Sequence, residues 1–257
     1  MPDPYLEAMM HGDFAKKKGA EIRPKDKFDV AIEKEIDKYI DSLELERNVE
    51  NNKLASPAMR RAQIKAQMKA DLQMPEVESF ITSAISILLS EGAHYLLPEQ
   101  YNEMEKELKG IKDHLDSLDL GSSDVNIKFQ NLVKISDSVM NCFFHISVEK
   151  FKEKEFPASL SLFSFLTILD PGNIEYLYRL GIAAQNNKNY ELALKAYEAS
   201  LEINHELLGA LLFASECYFR LKERELAITY LKKAKNLAET QPLNDIWEKL
   251  IYDLEKL

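Results

Sequence analysis

The chain has 257 residues, of which 46% are hydrophobic and 30% charged, and its formal net charge is −10. This composition is ordinary for a soluble globular protein, and the acidic balance argues against a general nucleic-acid-binding role. Because there are only 8 glycines and 9 prolines, few positions interrupt a helix, and we expect an all-α protein. The two cysteines, Cys142 and Cys217, lie in no CxxC pair or histidine cluster, which predicts neither disulfides nor a zinc site and favours a reducing cytoplasm.

The first half of the chain is predicted to contain a largely disordered start followed by a helical region. Residues 1–27 are polar and proline-containing, which is typical of a disordered or loosely docked segment. Residues 28–120 form the helical region, with helices expected at about 28–47, 58–72, 76–96 and 99–118. The basic helix at 58–72 is expected to be a solvated face, with a membrane-surface or acidic-partner role as the alternative. The linker Gly121-Ser122-Ser123 marks the predicted domain boundary.

No stretch of the sequence is apolar enough to predict membrane insertion. The longest apolar segment, residues 77–97, is interrupted by glutamate, serine, threonine and histidine. The first residues contain no apolar core of a signal peptide. We therefore expect a cytoplasmic protein without stable membrane insertion.

The C-terminal part, residues 125–257, repeats itself at an offset of 34 residues. Gly181 aligns with Ser215, while Ala193 aligns with Ala227 and Ser159. Small residues at these positions, with larger apolar residues between them, match the tetratricopeptide repeat (TPR) pattern. They let the two helices of one repeat approach closely and let neighbouring repeats stack. The sequence therefore predicts a TPR α-solenoid of three repeats, at about 140–173, 174–207 and 208–241.

Two further elements complete the predicted TPR domain. A long helix is expected from about Val125 to Lys152, so that it opens the first, degenerate repeat. Residues 242–257 place Trp247 and Leu254 on one apolar stripe, which predicts the capping helix that a solenoid end requires.

The first helix of each repeat is expected to line a concave groove. By helical phase, the groove positions are Phe144, Val148, Phe151, Tyr178, Ile182, Gln185, Leu212, Glu216 and Phe219. The alternative for such aromatic residues is burial in the core, which we expect for Phe143 and Tyr218. An apolar lining favours an extended polypeptide with apolar anchors over an acidic C-terminus, which would need lysine and arginine. The sequence therefore predicts a peptide-binding groove.

Motifs for chemistry are missing from the sequence. It contains no P-loop, no dinucleotide-binding glycine pattern, no nucleophile elbow and no zinc-like histidine pair. Cys217 is expected to be a buried, unreactive thiol in the repeat core. An enzyme with an attached TPR array would need a catalytic set within residues 1–120, and none is present. We predict no enzyme, no metal and no cofactor.

The stretch Phe151–Glu239 resembles the class II chaperones of type III secretion systems, which hold hydrophobic translocator proteins. The shared run comprises Phe163-x2-Leu166-x2-Leu169-Asp170, Leu180-Gly181, Tyr190-Glu191-Leu192-Ala193 and Ala214-Ser215-Glu216-Cys217. The resemblance implies a cytoplasmic chaperone that keeps a hydrophobic translocator or effector client soluble. It further implies a proline-containing extended client segment in the groove and a homodimer through N-terminal helices.

The long N-terminal half departs from that family, whose members have a short helical extension before the repeats. The alternative function is therefore a generic TPR scaffold or adaptor in a protein complex. Residues 1–120 would then supply a second interface.

Overall fold

The computed structural model describes residues 3–11, 75–116, 129–240 and 243–257, and within these ranges the regular structure is entirely helical. The α-helices, in chain order, are α1 Pro4–His11, α2 Pro75–Glu91, α3 Pro98–Asp116, α4 Phe129–Leu132, α5 Asp137–Lys152, α6 Phe156–Leu169, α7 Ile174–Asn186, α8 Tyr190–Ile203, α9 Leu208–Arg220, α10 Arg224–Ala238 and α11 Asp245–Glu255. Among the residues described, none of the helices combines the length and apolar character that a membrane crossing requires. The predicted all-α class is confirmed.

Three consecutive helix pairs form the predicted TPR solenoid. Helices α5 and α6, α7 and α8, and α9 and α10 pack as pairs, and each second helix packs on the first helix of the next pair. Helix α11 packs on α9 and α10 and buries Trp247 and Leu254, as a terminal cap must. The three repeats and the capping helix are therefore confirmed.

In each of the three repeats, the turn between the two helices contains a lysine with a positive φ angle. Lys154, Lys188 and Lys222 have φ angles of 64°, 63° and 67° and are spaced by the 34-residue period. In each turn the next residue donates its N–H to a carbonyl five residues earlier, as Asn189 does to Ala184 at 2.9 Å. This is the Schellman pattern that ends a helix. Its recurrence in the first turn shows that the degenerate repeat keeps the register of the other two.

Small residues set the distance between the two helices of a repeat. A Cβ added to Gly181 would lie 2.4 Å from Cε1 of Tyr197 on the partner helix. In the third repeat the hydroxyl of Ser215 donates to the carbonyl of Ala227 at 2.8 Å, and both residues are fully buried. The close approach that the sequence predicts at these positions is confirmed.

Helices α2 and α3 cover the first repeat, with α2 packed on α6 and α3 packed on α5. The buried Lys150 of α5 joins these elements, because its Nζ donates to Glu91 at the end of α2 and to Glu155 at 2.7 Å. Burial lowers the pKa of Lys150, but the hydrogen bonds to Glu155 and Glu91 more than offset this and raise it above that of an ordinary lysine. The buried Lys150 side chain is therefore positively charged at neutral pH.

The structure corrects one predicted helix and leaves other predictions untested. A continuous helix to Lys152 is wrong, because the chain turns after Leu132 and restarts at Asp137. Ser136 caps the new start by accepting the N–H of Val139, and Gln130 donates to Ile135 across the break. The predicted helices at 28–47 and 58–72 and the linker Gly121-Ser122-Ser123 lie outside the described residues. The division of the chain near residue 121 stays a prediction.

The first part of residues 1–27, which were predicted to be disordered or loosely docked, is a docked helix. Residues 4–11 form α1, whose Ala8 and Met9 are buried. The start has a local cause, because Asp3 accepts the N–H of Tyr5 at 3.0 Å and Pro4 occupies the first helical position. Residues 12–27 lie outside the described residues.

The left-handed turns predict a stabilising substitution. Glycine adopts positive φ without the steric cost that a Cβ carries. Lys188→Gly should therefore raise the free energy of unfolding by about 0.5–1 kcal/mol in urea titrations. The matched control, Lys195→Gly within α8, should lower it by about 1 kcal/mol. Destabilisation by both substitutions would contradict the assigned turn geometry.

The contact between Gly181 and Tyr197 predicts that a substitution at Gly181 destabilises the fold. Gly181→Ala should lower the free energy of unfolding by about 2 kcal/mol, because the new methyl group overlaps a buried ring. At Gly172 an added Cβ meets only Asp170 Oδ1, at 3.9 Å, so Gly172→Ala should change stability by less than about 0.5 kcal/mol. Equal urea midpoints for the two variants would refute the close packing of α7 on α8.

Candidate peptide-binding groove

Helix α1 lies in the concave groove of the array. It contacts α5, α7 and the capping helix α11, and its Tyr5 side chain reaches Phe213 and Glu216 of α9. Helices α5, α7 and α9 are the first helices of the three repeats, which line the concave face of such arrays. The groove therefore holds a segment of the chain itself.

The Tyr5 hydroxyl is held by two polar groups of the groove. Gln185 Nε2 donates to Tyr5 Oη at 2.8 Å, and the Tyr5 hydroxyl donates to the Glu216 carboxylate. Burial, together with the charge and hydrogen bond of Glu216, raises the pKa of Tyr5 well above that of a free tyrosine. The phenol is therefore protonated at neutral pH, which fits its role as the donor to Glu216.

Gln185 is fixed in this role by the repeat core. The hydroxyl of the fully buried Tyr197 donates to Gln185 Oε1 at 2.8 Å, so the amide presents its Nε2 donor to Tyr5. Burial raises the pKa of Tyr197, which keeps its hydroxyl a donor. The chain of hydrogen bonds thus runs from the core residue Tyr197 through Gln185 and Tyr5 to Glu216.

An aromatic floor lies beneath the Tyr5 ring. Tyr5 stacks on Phe213 with ring centroids 4.7 Å apart and an interplanar angle of 21°. Phe213 also packs against Tyr178, Tyr197 and Trp247 of the cap, at centroid distances of 6.2, 5.9 and 5.6 Å. Stacked pairs of this kind add to the area they bury. Residues from two repeats and the cap therefore form one surface for an aromatic side chain.

Arg179 holds the other end of α1. Its Nε donates to the Met9 carbonyl at 2.8 Å, in the last turn of α1, where carbonyl groups lack helical partners. Its guanidinium also pairs with Glu175 at 2.7 Å and lies over the Phe144 ring, 4.8 Å from the centroid. The groove therefore contacts the main chain as well as the side chains of its occupant.

The nine residues predicted to line the groove differ in how they contact α1. Gln185 and Glu216 hydrogen-bond to the occupant, and Phe144 supports Arg179. The remaining six are buried or half-buried while α1 is docked: Val148, Phe151, Tyr178, Ile182, Leu212 and Phe219. For example, Phe151 packs on Phe156 of α6, with ring centroids 5.2 Å apart. Binding of a client by these nine residues stays a prediction.

Two residues that contact α1 were not predicted from helical phase. Arg179 and Phe213 directly follow Tyr178 and Leu212, which helical phase did predict for the groove. The sequence does carry a signal at Arg179, because a charged residue among the apolar residues of a repeat helix needs a partner when it is buried.

In the part of the chain that the structure describes, the cysteines and the potential metal ligands do not come together in a site. Within the described ranges, no group of three His, Cys, Asp or Glu residues could hold a metal ion. Cys217 is fully buried, as predicted, and burial raises the pKa of its thiol. Phe143 is buried in the core, also as predicted.

Residues 174–207 and 208–241 match sequence models of the tetratricopeptide repeat. These are the second and third repeats of the structure. No curated protein matches the chain.

The chain is similar to several solved structures, among them a type III secretion translocator chaperone. Against PcrH in complex with the chaperone binding region of PopB, the TM-score is 0.44 at 20% identity, covering 47% of this chain and 97% of that chain. Against the translocator chaperone SycD of Yersinia enterocolitica, the TM-score is 0.46 at 19% identity, covering 51% and 98%. Against the CopN–Scc3 complex it is 0.46 at 19% identity, covering 71% and 98%.

Two neighbouring methionines of α1 test its docking. Met9 is fully buried, whereas Met10 is 37% exposed. Hydrogen peroxide should therefore oxidise Met10 faster than Met9 in the folded chain, as followed by tandem mass spectrometry. Arg179→Gln should raise the Met9 rate towards that of Met10, because it removes the hydrogen bond to the Met9 carbonyl. The exposed Arg224→Gln serves as the control, and equal rates in the unchanged chain would contradict the docked position.

Proposed function

We propose that the chain is a type III secretion chaperone that keeps a hydrophobic translocator or effector client soluble. A segment of the client would bind in the concave groove. The rest of the complex would cover the remaining apolar surface of the client. The observation that carries the proposal is the contact between the groove and Pro4–His11. A groove that orders eight residues through an aromatic ring, a hydroxyl and a main-chain carbonyl has the means to bind a peptide.

The residues that contact α1 support a client with apolar anchors. Its aromatic floor favours large apolar or aromatic side chains, and Arg179 and Gln185 supply hydrogen bonds for groups that a bound segment would otherwise bury unpaired. An extended segment, as the resemblance implies, would reach the same aromatic floor and hydrogen-bonding groups with anchors closer together in its sequence than those of the helix α1. The chaperone would work in the cytoplasm, without catalysis or cofactor, and a homodimer through the N-terminal helices is part of the same proposal.

Co-expression with a hydrophobic translocator tests the proposal. We expect a soluble complex of fixed stoichiometry on size-exclusion chromatography, where the client alone aggregates. Phe144→Ala should weaken the complex by about tenfold, because it removes the ring beneath Arg179 at the groove. Leu226→Ala on α10, where Leu226 is 43% exposed, is the matched control and should bind as the unchanged chain does.

Two results would contradict the proposal. A client that stays insoluble with the unchanged chain would exclude the chaperone role. Stable assembly proteins recovered with the native chain, and no hydrophobic client, would favour the scaffold or adaptor alternative instead.

A further inference from the structure

The N-terminal helix α1 contacts the groove through one face, as a bound helical peptide does. Tyr5, Ala8 and Met9 lie on the face of α1 that is turned to the groove, at the i, i+3, i+4 spacing of a helix-in-groove contact. On the rest of the helix, Leu6 and Met10 are exposed at 39% and 37%. One face of α1 therefore supplies all its anchors, and the anchors are an aromatic ring, a small residue and a flexible apolar one.

Order in α1 depends on this contact. An isolated helix of eight residues is marginal in water, because nucleation costs more than so few hydrogen bonds return. The stabilising contacts come from helices α5, α7, α9 and α11, which are distant in the sequence, and residues 12–74 join α1 to α2. Docking of α1 is thus an intramolecular binding equilibrium with its own affinity.

The contacts of α1 are also those that an incoming peptide would need. Gln185 and Glu216 are both engaged by the Tyr5 hydroxyl, and Phe213 is covered by the Tyr5 ring. Arg179 is engaged by the Met9 carbonyl. While α1 is in place, its bulk keeps a second segment from the covered face of Phe213 and from the positions that the Tyr5 hydroxyl and the Met9 carbonyl occupy.

We propose that α1 is an intramolecular pseudo-ligand that closes the groove of the free chain, and that any peptide partner binds there by displacing it. Its Tyr-x-x-Ala-Met pattern then states which side chains the groove accepts: an aromatic hydroxyl, a small residue three positions on and a thioether or similar apolar chain at the fourth. The inference rests on the proposed function only in that a client would be such a partner. Self-occupancy keeps an apolar groove covered until a competitor arrives.

The test uses the full chain and a probe that needs no client. The probe is a synthetic peptide of residues 1–11 with a fluorophore at its C-terminus, and binding is followed by fluorescence anisotropy. A resident α1 competes with the probe, so weakening α1 should strengthen probe binding. We expect the full chain with Tyr5→Ala to bind the probe at least about tenfold more tightly than the unchanged chain does.

A second variant and a control variant test whether the effect of Tyr5→Ala comes from weaker docking of α1. Met9→Asp should also strengthen probe binding, because a carboxylate in place of the fully buried thioether weakens docking without touching the Tyr5 contacts. Met10→Ala changes an exposed residue of the same helix and should leave probe affinity as in the unchanged chain. A probe carrying Tyr5→Ala should bind none of these chains measurably.

Each other outcome overturns the proposal. Equal probe affinity for the unchanged chain and the Tyr5→Ala and Met9→Asp variants would mean that α1 does not occupy the groove. No probe binding by any chain would mean that α1 is not a ligand of it. An apparent probe affinity that falls with rising chain concentration would mean that a second copy supplies the segment. Because no client is involved, these results are separate from failure of the co-expression test.

Discussion

The contact of the Tyr197 ring with Gly181 is the constraint on which the groove depends. The ring lies where any side chain at position 181 would be, so α7 and α8 approach closely in the central repeat. From this fixed position the Tyr197 hydroxyl orients Gln185, and the ring supports Phe213 of the next repeat. One core residue thereby links helix packing, the stacking of repeats and the polar group that meets Tyr5.

The fold was largely predictable from the sequence because a 34-residue period leaves few alternatives. Gly181, Ser215 and Ala193 gave the register, and the left-handed residues Lys154 and Lys188 show that the degenerate first repeat obeys it. The break before Asp137 was not predicted, since Ser136 is an ordinary cap residue in a segment with continuous helical periodicity. Such breaks depend on tertiary partners as much as on the local sequence.

The site was predictable only in part. Helical phase identified Gln185 and Glu216. It did not identify Arg179 and Phe213, which directly follow the predicted residues Tyr178 and Leu212, because the concave face is broader than the helical positions used for the prediction. The occupant was missed for a different reason. Asp3-Pro4 is a clear helix start, yet eight residues hold too little apolar surface to predict docking onto repeats far along the chain. Long-range contacts of a short terminal segment leave no periodic signal.

Occupancy of the groove by α1 in the free protein is the central claim, and a nuclear Overhauser measurement tests it most directly. The full-length chain would carry protonated Tyr and Phe rings in a deuterated background, with the Tyr5 resonances assigned by comparison with Tyr5→Phe. Because the two ring centroids lie 4.7 Å apart, we predict cross-peaks between Tyr5 and Phe213 without any added peptide. Tyr5 resonances at random-coil positions, with no cross-peak to Phe213, would contradict the claim.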